Sequence, residues 1–420
     1  MKKTTFSQYA IDNASILFLS LIRKDHTNTF RFTMTLTEDV CPEILQLAVD
    51  RVYRRFPTVI AGFRPGFFHY YQIPAKTPPL VQPDPGCLLT MSKEELRNCA
   101  YRVYYNGKTI AIEAFHALTD GYGAVASFTT LVAEYLRLKY DMHIPVTNTL
   151  IDVNQSPMIH ELEDSFLNHE QGDPLHLPSR YSYQLPGGNS VRNTVRTSSY
   201  VIPTKKLLDT AHQHGVSITT LLSTVMAASI MEVQQAQNSS QIRPVRIMVP
   251  VDLRRMFPSR TLRNFVLYAL PTMEPQDSQK PITENMHSFA KQLHAQINKE
   301  KLASIMAYNV RMQCSILFRM IPLSIKCAFM RLIYRFFGES NSSLTVTNLG
   351  NVNLPEEMQK YVTHMDVTLT PRVRSPYGCA ILSYNGLISI NISRFPQKTK
   401  LEEIFFQKLN SLLCDEAAAV

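Results

Sequence analysis

The chain has 420 residues, 45% of them apolar and 18% charged, and its Lys+Arg 43 against Asp+Glu 34 leaves a net charge of +9 with His neutral. That balance excludes a disordered chain, and 14 Gly with 25 Pro exclude a collagen-like or low-complexity one. The length suits two to three domains of about 150 residues each, and the positive excess points to an anionic partner: a phosphorylated cofactor, an acidic protein, nucleic acid or a membrane surface.

In chain order, residues 14–21 and 28–37 read as strands, and 43–56 as a helix with Leu45, Ala48, Val49 and Val52 on one side. Residues 99–105 and 108–115 form a predicted hairpin on Asn106-Gly107, a strong two-residue turn signal. A long helix is expected over 122–140. From Asp141 to Asn193 the periodicity lapses, punctuated by Pro145, Pro157, Pro174, Pro178, Pro186 and the Gly187-Gly188 pair. The expected organisation is an N-terminal lobe over 1–165, a connection over 166–195 and a C-terminal lobe over 196–420.

The second half resumes with a strand at 197–202, a helix at 205–214 ended by Gly215, an apolar helix at 219–233 and a strand at 245–251. Residues 282 to about 309 read as one helix. The segment 316–337 follows, apolar but carrying Arg319, Lys326, Arg331, Arg335 and Pro322. Those charges and the proline rule out a spanning helix. Because the cations fall on two faces, a core-packing segment with snorkelling ends is expected rather than a membrane-surface helix. Strands at 344–347 and 362–369, a hairpin of 377–384 and 387–393 on Asn385-Gly386, and a helix at 400–414 complete a mixed α/β (α+β) pattern in two lobes.

Seven cysteines, at 41, 87, 99, 314, 327, 379 and 414, show no C-x-x-C spacing, so reduced thiols and a cytoplasmic location are expected. Asp12 and Asn13 interrupt the N-terminal apolar run and no small-residue cleavage pattern follows, so no signal peptide is expected. His212 and His214 lie two apart and cannot face one metal, and neither H-E-x-x-H nor G-x-S-x-G occurs. No metal is expected, and the basic residues lack the interleaved aromatics of a nucleic-acid module.

The chemistry concentrates in TIAIEAFHALTDGYGAVA, residues 109–126. A predicted strand ends at His116, Asp120 and Gly121 form a turn, and a helix starts at once. A strand-end histidine can face a cleft, and the glycine would allow positive φ in the turn. Gly121, Gly123 and Ala126 fit G-x-G-x-x-A, but five residues stand between the histidine strand and the first glycine, so a dinucleotide fold is not expected. The glycines are expected to serve the turn and close helix packing.

The pattern His116-x-x-x-Asp120-Gly121 resembles the signature of the CoA-dependent acyltransferases related to chloramphenicol acetyltransferase. That superfamily includes the plant BAHD enzymes, alcohol acetyltransferases and nonribosomal peptide condensation domains. VPVDLRRMFPSRTLRNF, residues 249–265, resembles a second family segment, and TVTNLGNV, residues 345–352, is similar to a Ser/Thr-Asn-x-Gly strand end that lines the family tunnel. Phe115 stands where many condensation domains carry a second histidine. The absence of a D-F-G-W-G motif and of Trp argues against the plant branch, and the chain most resembles bacterial alcohol acetyltransferase-like proteins.

The resemblance implies two chloramphenicol-acetyltransferase-like lobes with a tunnel between them, and transfer of an acyl group, acetyl foremost, from a thioester to a small alcohol or amine. His116 would be the general base. Asp120 would pair with Arg254 to hold the loop, and Thr347 or a backbone N–H near Asn348 would stabilise the oxyanion. No acyl-enzyme and no permanently bound cofactor is implied, only acyl-CoA or acyl-phosphopantetheine as co-substrate. Two alternatives stay open: a condensation-type enzyme fed by an acyl carrier protein, and a non-catalytic binding protein of the same fold. The implied donors narrow the anionic partner to CoA or an acidic carrier protein.

Overall fold

The computed structural model describes residues 8–414 except 24–25, 148, 170–171, 176–179, 188–193, 238–241, 335–337 and 399. Pro178, Gly188, Arg335 and part of the connection at 166–195 lie outside the described residues. After the short strand β1 (Tyr9–Ala10) comes helix α1 (Asn13–Ser20), where a strand was expected. An apolar run this short does not discriminate helix from strand. The cap decides: Asp12 Oδ1 accepts from Ser15 N at 2.7 Å, satisfying a first-turn amide.

The first half continues with β2 (Thr29–Leu36), α2 (Pro42–Val52), β3 (Ala61–Pro65), β4 (Tyr70–Pro74), β5 (Val81–Pro83), α3 (Lys93–Asn98), β6 (Tyr101–Asn106) and β7 (Thr109–Phe115). Leu45, Ala48, Val49 and Val52 are the buried face of α2. Helix α4 (Gly121–Tyr140) leaves the motif turn and is buried along most of its length. Two single turns follow, α5 (Ile159–Leu162) and α6 (Ser165–Asn168).

The second half contains β8 (Arg196–Pro203), α7 (Thr204–Gln213), α8 (Ile218–Gln235), β9 (Val245–Asp252), β10 (Val266–Ala269) and β11 (Thr272–Met273). The helix expected over 282–309 is two helices, α9 (Ile282–Gln296) and α10 (Lys299–Cys314). Asn298 separates them by capping the second, its Oδ1 accepting from Lys301 N at 2.8 Å. Then come α11 (Ile316–Met320), α12 (Leu323–Ile333), β12 (Leu344–Asn351), α13 (Glu356–Gln359), β13 (Val362–Leu369), β14 (Tyr377–Tyr384), β15 (Leu387–Arg394) and α14 (Lys400–Cys414). The β14–β15 turn has Asn385 at φ 48 and Gly386 at φ 74, the double positive φ that a tight hairpin requires.

The strands form two main sheets. One has the order β13-β2-β7-β6-β5, the other β10-β9-β12-β14-β15-β8 with β11 also on β9, and β1-β4-β3 make a small third sheet. Each main sheet has its own core. The halves are interlocked rather than simply consecutive. Strand β13 leaves the second half to pair antiparallel with β2 of the first sheet. Strand β14 is buried on both faces: Cys379 and Ile381 enter the second core, Ala380 and Leu382 the first. A strand sandwiched this way needs a continuous apolar run, which explains why YGCAILSY shows no alternation.

The basic apolar segment departs from expectation. Ile316, Leu317 and Met320 of α11 and Ile325, Phe329 and Leu332 of α12 are exposed rather than packed. On α12 only Leu323, Lys326 and Cys327 turn inward. Among the described residues no single helix is long and apolar enough to cross a membrane. The bent pair α7 and α8 passes by length and composition only, and α8 is a largely buried core helix.

Candidate active site

Pairing of β2 with β7 in the register Thr29↔Phe115 fixes the end of the motif strand. His116 is the next residue, and its N–H donates to Asn28 O at 2.8 Å, extending the ladder by one bond. Its ring stacks on Phe18 of α1 at 4.5 Å between centroids and meets the edge of Phe30 at 5.2 Å. Nδ1 is buried with no hydrogen-bond partner, while the residue as a whole keeps partial exposure, so Nε2 is the nitrogen left for a substrate. Burial pulls the imidazole below the ordinary histidine range, against the opposing influence of its own backbone, Asp120, Asn264 and Asp12. Burial thus disfavours the charged form of the ring.

Asp120 points away from this ring. As N-cap of α4 its Oδ1 accepts from Tyr122 N at 3.1 Å and Gly123 N at 3.3 Å. Its Oδ2 accepts from Phe265 N and from Arg254 Nη1, both at 2.8 Å. Arg254 sits in a 3-10 turn (Leu253–Arg255) after β9. It also donates to Asp252 at 2.9 Å, to Thr261 O from Nε and Nη2 at 3.2 and 2.9 Å, and to Arg263 O at 2.8 Å. Its guanidinium lies 4.6 Å from the centre of the Tyr122 ring. Both oxygens of Asp120 are thus committed to holding the loop.

The same two segments are joined at three further points. Asn264 Nδ2 donates to His116 O at 3.1 Å, Thr119 Oγ1 donates to Leu262 O at 2.6 Å, and Gly123 packs against Leu262. Neither Gly121 nor Gly123 has positive φ, contrary to the expectation for Gly121. Their need is space. A Cβ on Gly123 would collide with the Leu262 carbonyl and the Thr119 hydroxyl, and one on Gly121 with the Leu349 side chain.

That contact with Leu349 brings β12 onto the motif turn. Leu344 and Val346 lie in the second core, so alternation turns Thr345 and Thr347 away from it. Asn348 is occupied: Nδ2 donates to Thr219 Oγ1 at 3.0 Å and Oδ1 accepts from Gly350 N at 2.9 Å. The structure thus brings together His116, Asp120, Gly121 and Arg254, and carries the strand of Thr347 and Asn348 to them through Leu349.

Sequence reasoning missed the groups behind the histidine. Asp12 is buried, bonded through Oδ1 to Ser15 Oγ at 2.7 Å and set 3.6 Å from Arg263 Nη2. Burial raises its pKa, with Arg263 and Ser15 opposing. Burial, and then the charge of Asp12, pushes Asp164 up to about 7. Reading Asp12 as a helix cap would have found the first of these. Nothing local signals that Arg263, 251 residues on, meets it. A cavity of about 480 Å³, lined by Arg31, Asp84, Cys87, Arg196 and Thr368 among others, opens apart from the motif residues. Among the described residues no group of three His, Cys, Asp or Glu could hold a metal ion.

No protein-family model and no curated protein sequence matches this chain. Solved structures do. Polyketide synthase associated protein 5 from Mycobacterium tuberculosis aligns with a TM-score of 0.61 at 14% identity, over 97% of this chain and 96% of that one. Trichothecene 15-O-acetyltransferase from Fusarium sporotrichioides aligns at 0.60 and 11% identity, over 98% and 96%. The first condensation domain of the CDA synthetase aligns at 0.59 and 13% identity, over 97% and 96%. The protein has the same fold as these structures. The motif loop joins segments of the first and second halves of the chain, and that joint is testable. Asp120→Asn should cost about 3 kcal/mol by leaving a buried arginine short of its counter-charge. The Asp120→Asn/Arg254→Met double variant should lose less than the sum of the singles in denaturant melts. Gly123→Ala, which meets backbone, should lower the melting temperature more than Gly121→Ala, which meets only the end of a leucine.

Proposed function

We propose that the protein is an acyltransferase that moves an acyl group, acetyl in the simplest case, from a CoA thioester to a small alcohol or amine, with His116 as general base. The observation that carries this reading is the setting of His116: its charged form disfavoured by burial, its ring clamped by Phe18 and Phe30, with one nitrogen sealed and one available. Such a ring has one proton-accepting task it can perform. The acyltransferases and condensation domains of the same fold give that task a reaction class.

In the proposed reaction Nε2 takes the proton of the acceptor hydroxyl or amine as its oxygen or nitrogen bonds to the thioester carbonyl carbon. The carbonyl electron pair moves onto oxygen. The Thr347 hydroxyl, for which no hydrogen bond is formed among the described residues, donates to that oxyanion. When the oxyanion collapses the carbon–sulfur bond breaks, and His116 returns its proton to the departing thiolate. Ester or amide and free thiol leave, and the enzyme is unchanged. Asp120 and Arg254 hold the loop throughout.

The net charge of +9 suits a donor that bears phosphates. The seven unpaired cysteines suit the reducing cytoplasm. Turnover of acetyl-CoA with a panel of alcohols and amines, read as thiol release, tests the reaction. His116→Ala should lower kcat by about a thousandfold, and equal turnover by both proteins would end the assignment. The neutral ring is the active form and its pKa is depressed. The rate should therefore rise with pH through a midpoint below the ordinary value of about 6.5 and then level off. Thr347→Val should lower kcat by about a hundredfold with little change in KM, because the oxyanion exists only beyond the ground state. Turnover only with acyl carrier protein would move the donor to the carrier while keeping these residues in place.

A further inference from the structure

The strongest feature outside the motif is the surface made by α11, α12 and the β3–β4 turn. Leu317 is 83% exposed, Ile316 75% and Met320 67%. On α12, Ile325, Phe329 and Leu332 are each more than half exposed, and their i, i+4, i+7 spacing puts them in one stripe on the face opposite Leu323 and Cys327. Phe67, 74% exposed, and Phe68 stand at the adjoining β3–β4 turn.

These pieces form one surface because buried Lys326 ties them. Its Nζ donates to Phe68 O at 3.1 Å and lies 4.6 Å from the centre of the Phe318 ring of α11. Leu323 N donates to Phe67 O at 2.9 Å, and Arg331 Nε donates to Ser20 O at 2.6 Å, so both ends of α12 are pinned to the first lobe. The helix is firmly docked with its apolar stripe outward. An apolar area of this extent is unusual on a free monomer.

Charge selects the occupant. From Glu300 to Glu339 the sequence contains no intervening Asp or Glu, while Arg311, Arg319 and Arg331 of that stretch are exposed. A second copy docking through the same patch would bring together two surfaces that each carry these arginines, with no acid between Glu300 and Glu339 to pair them. A surface that is apolar at its centre and cationic at its side fits a bilayer whose headgroups are negative and whose interior accepts leucine and phenylalanine. We propose that α11, α12 and the Phe67–Phe68 turn form a docking surface for an anionic lipid bilayer. This corrects the core-packing role expected for the segment, and it does not depend on the acyl-transfer reading.

The test is co-sedimentation of the full chain with phosphatidylcholine vesicles and with vesicles that also contain phosphatidylserine. Binding should be strong to the second kind, much weaker to the first, and reduced by salt. Arg319→Gln should weaken it about fivefold. Leu317→Glu/Phe329→Glu should abolish it with the melting temperature unchanged, because both side chains already face solvent. No binding to either vesicle, binding unaffected by the double variant, or equal binding to neutral and anionic vesicles would overturn the proposal. So would a concentration-dependent dimer, seen by sedimentation velocity, that the double variant disperses.

Discussion

The carboxylate of Asp120 is the point on which the two halves of this protein turn. Four donors converge on it: two amides of the helix it caps, the Phe265 amide and the Arg254 guanidinium. Two come from the first half of the chain and two from the second. A buried carboxylate is tolerable only when its oxygens are satisfied, so the motif loop takes its shape only with the segment around 254–265 in place. Arg254 in turn is bonded to Asp252 and two backbone carbonyls, which ties that segment together through contacts of its own.

His116 benefits from this arrangement without touching it. Its position follows from β7, its carbonyl is held by Asn264, and its ring is set by Phe18 and Phe30. The carboxylate is fully engaged in holding the loop, whereas burial disfavours the charged form of the imidazole. Asp12 and Asp164 add buried acids nearby, with Arg263 as the cation facing them. The interlock of β13 into the first sheet and the two-faced burial of β14 make the same point at larger scale. Strand β14 thus belongs to both cores at once, and the motif turn meets the adjoining strand β12 through Leu349.

Much of the fold was legible because periodicity and turn chemistry are local. Helix α2 showed its buried face in Leu45, Ala48, Val49 and Val52, and both hairpins were marked by Asn-Gly. The errors are also physical. Residues 14–21 are apolar on every side, so neither period stood out, and the Asp12 cap made them helical. The break at Asn298 depends on one capping bond within a pattern that otherwise continues. For 316–333, composition implied burial, whereas the chain had already filled both cores elsewhere and left this segment outside.

The sequence by itself determined which residues could do chemistry, since a histidine at a strand end before Asp-Gly is a property of six consecutive residues. It also determined where strands reverse, because few residues tolerate positive φ. Tertiary structure alone decided what those residues became. The pKa of His116 depends on burial by Phe18 and Phe30, the space required at Gly121 and Gly123 on Leu349 and Leu262, and the commitment of Asp120 on Arg254, 134 residues away. Burial and charge pairing are set by neighbours in space, and a linear pattern does not encode which distant segment will supply them.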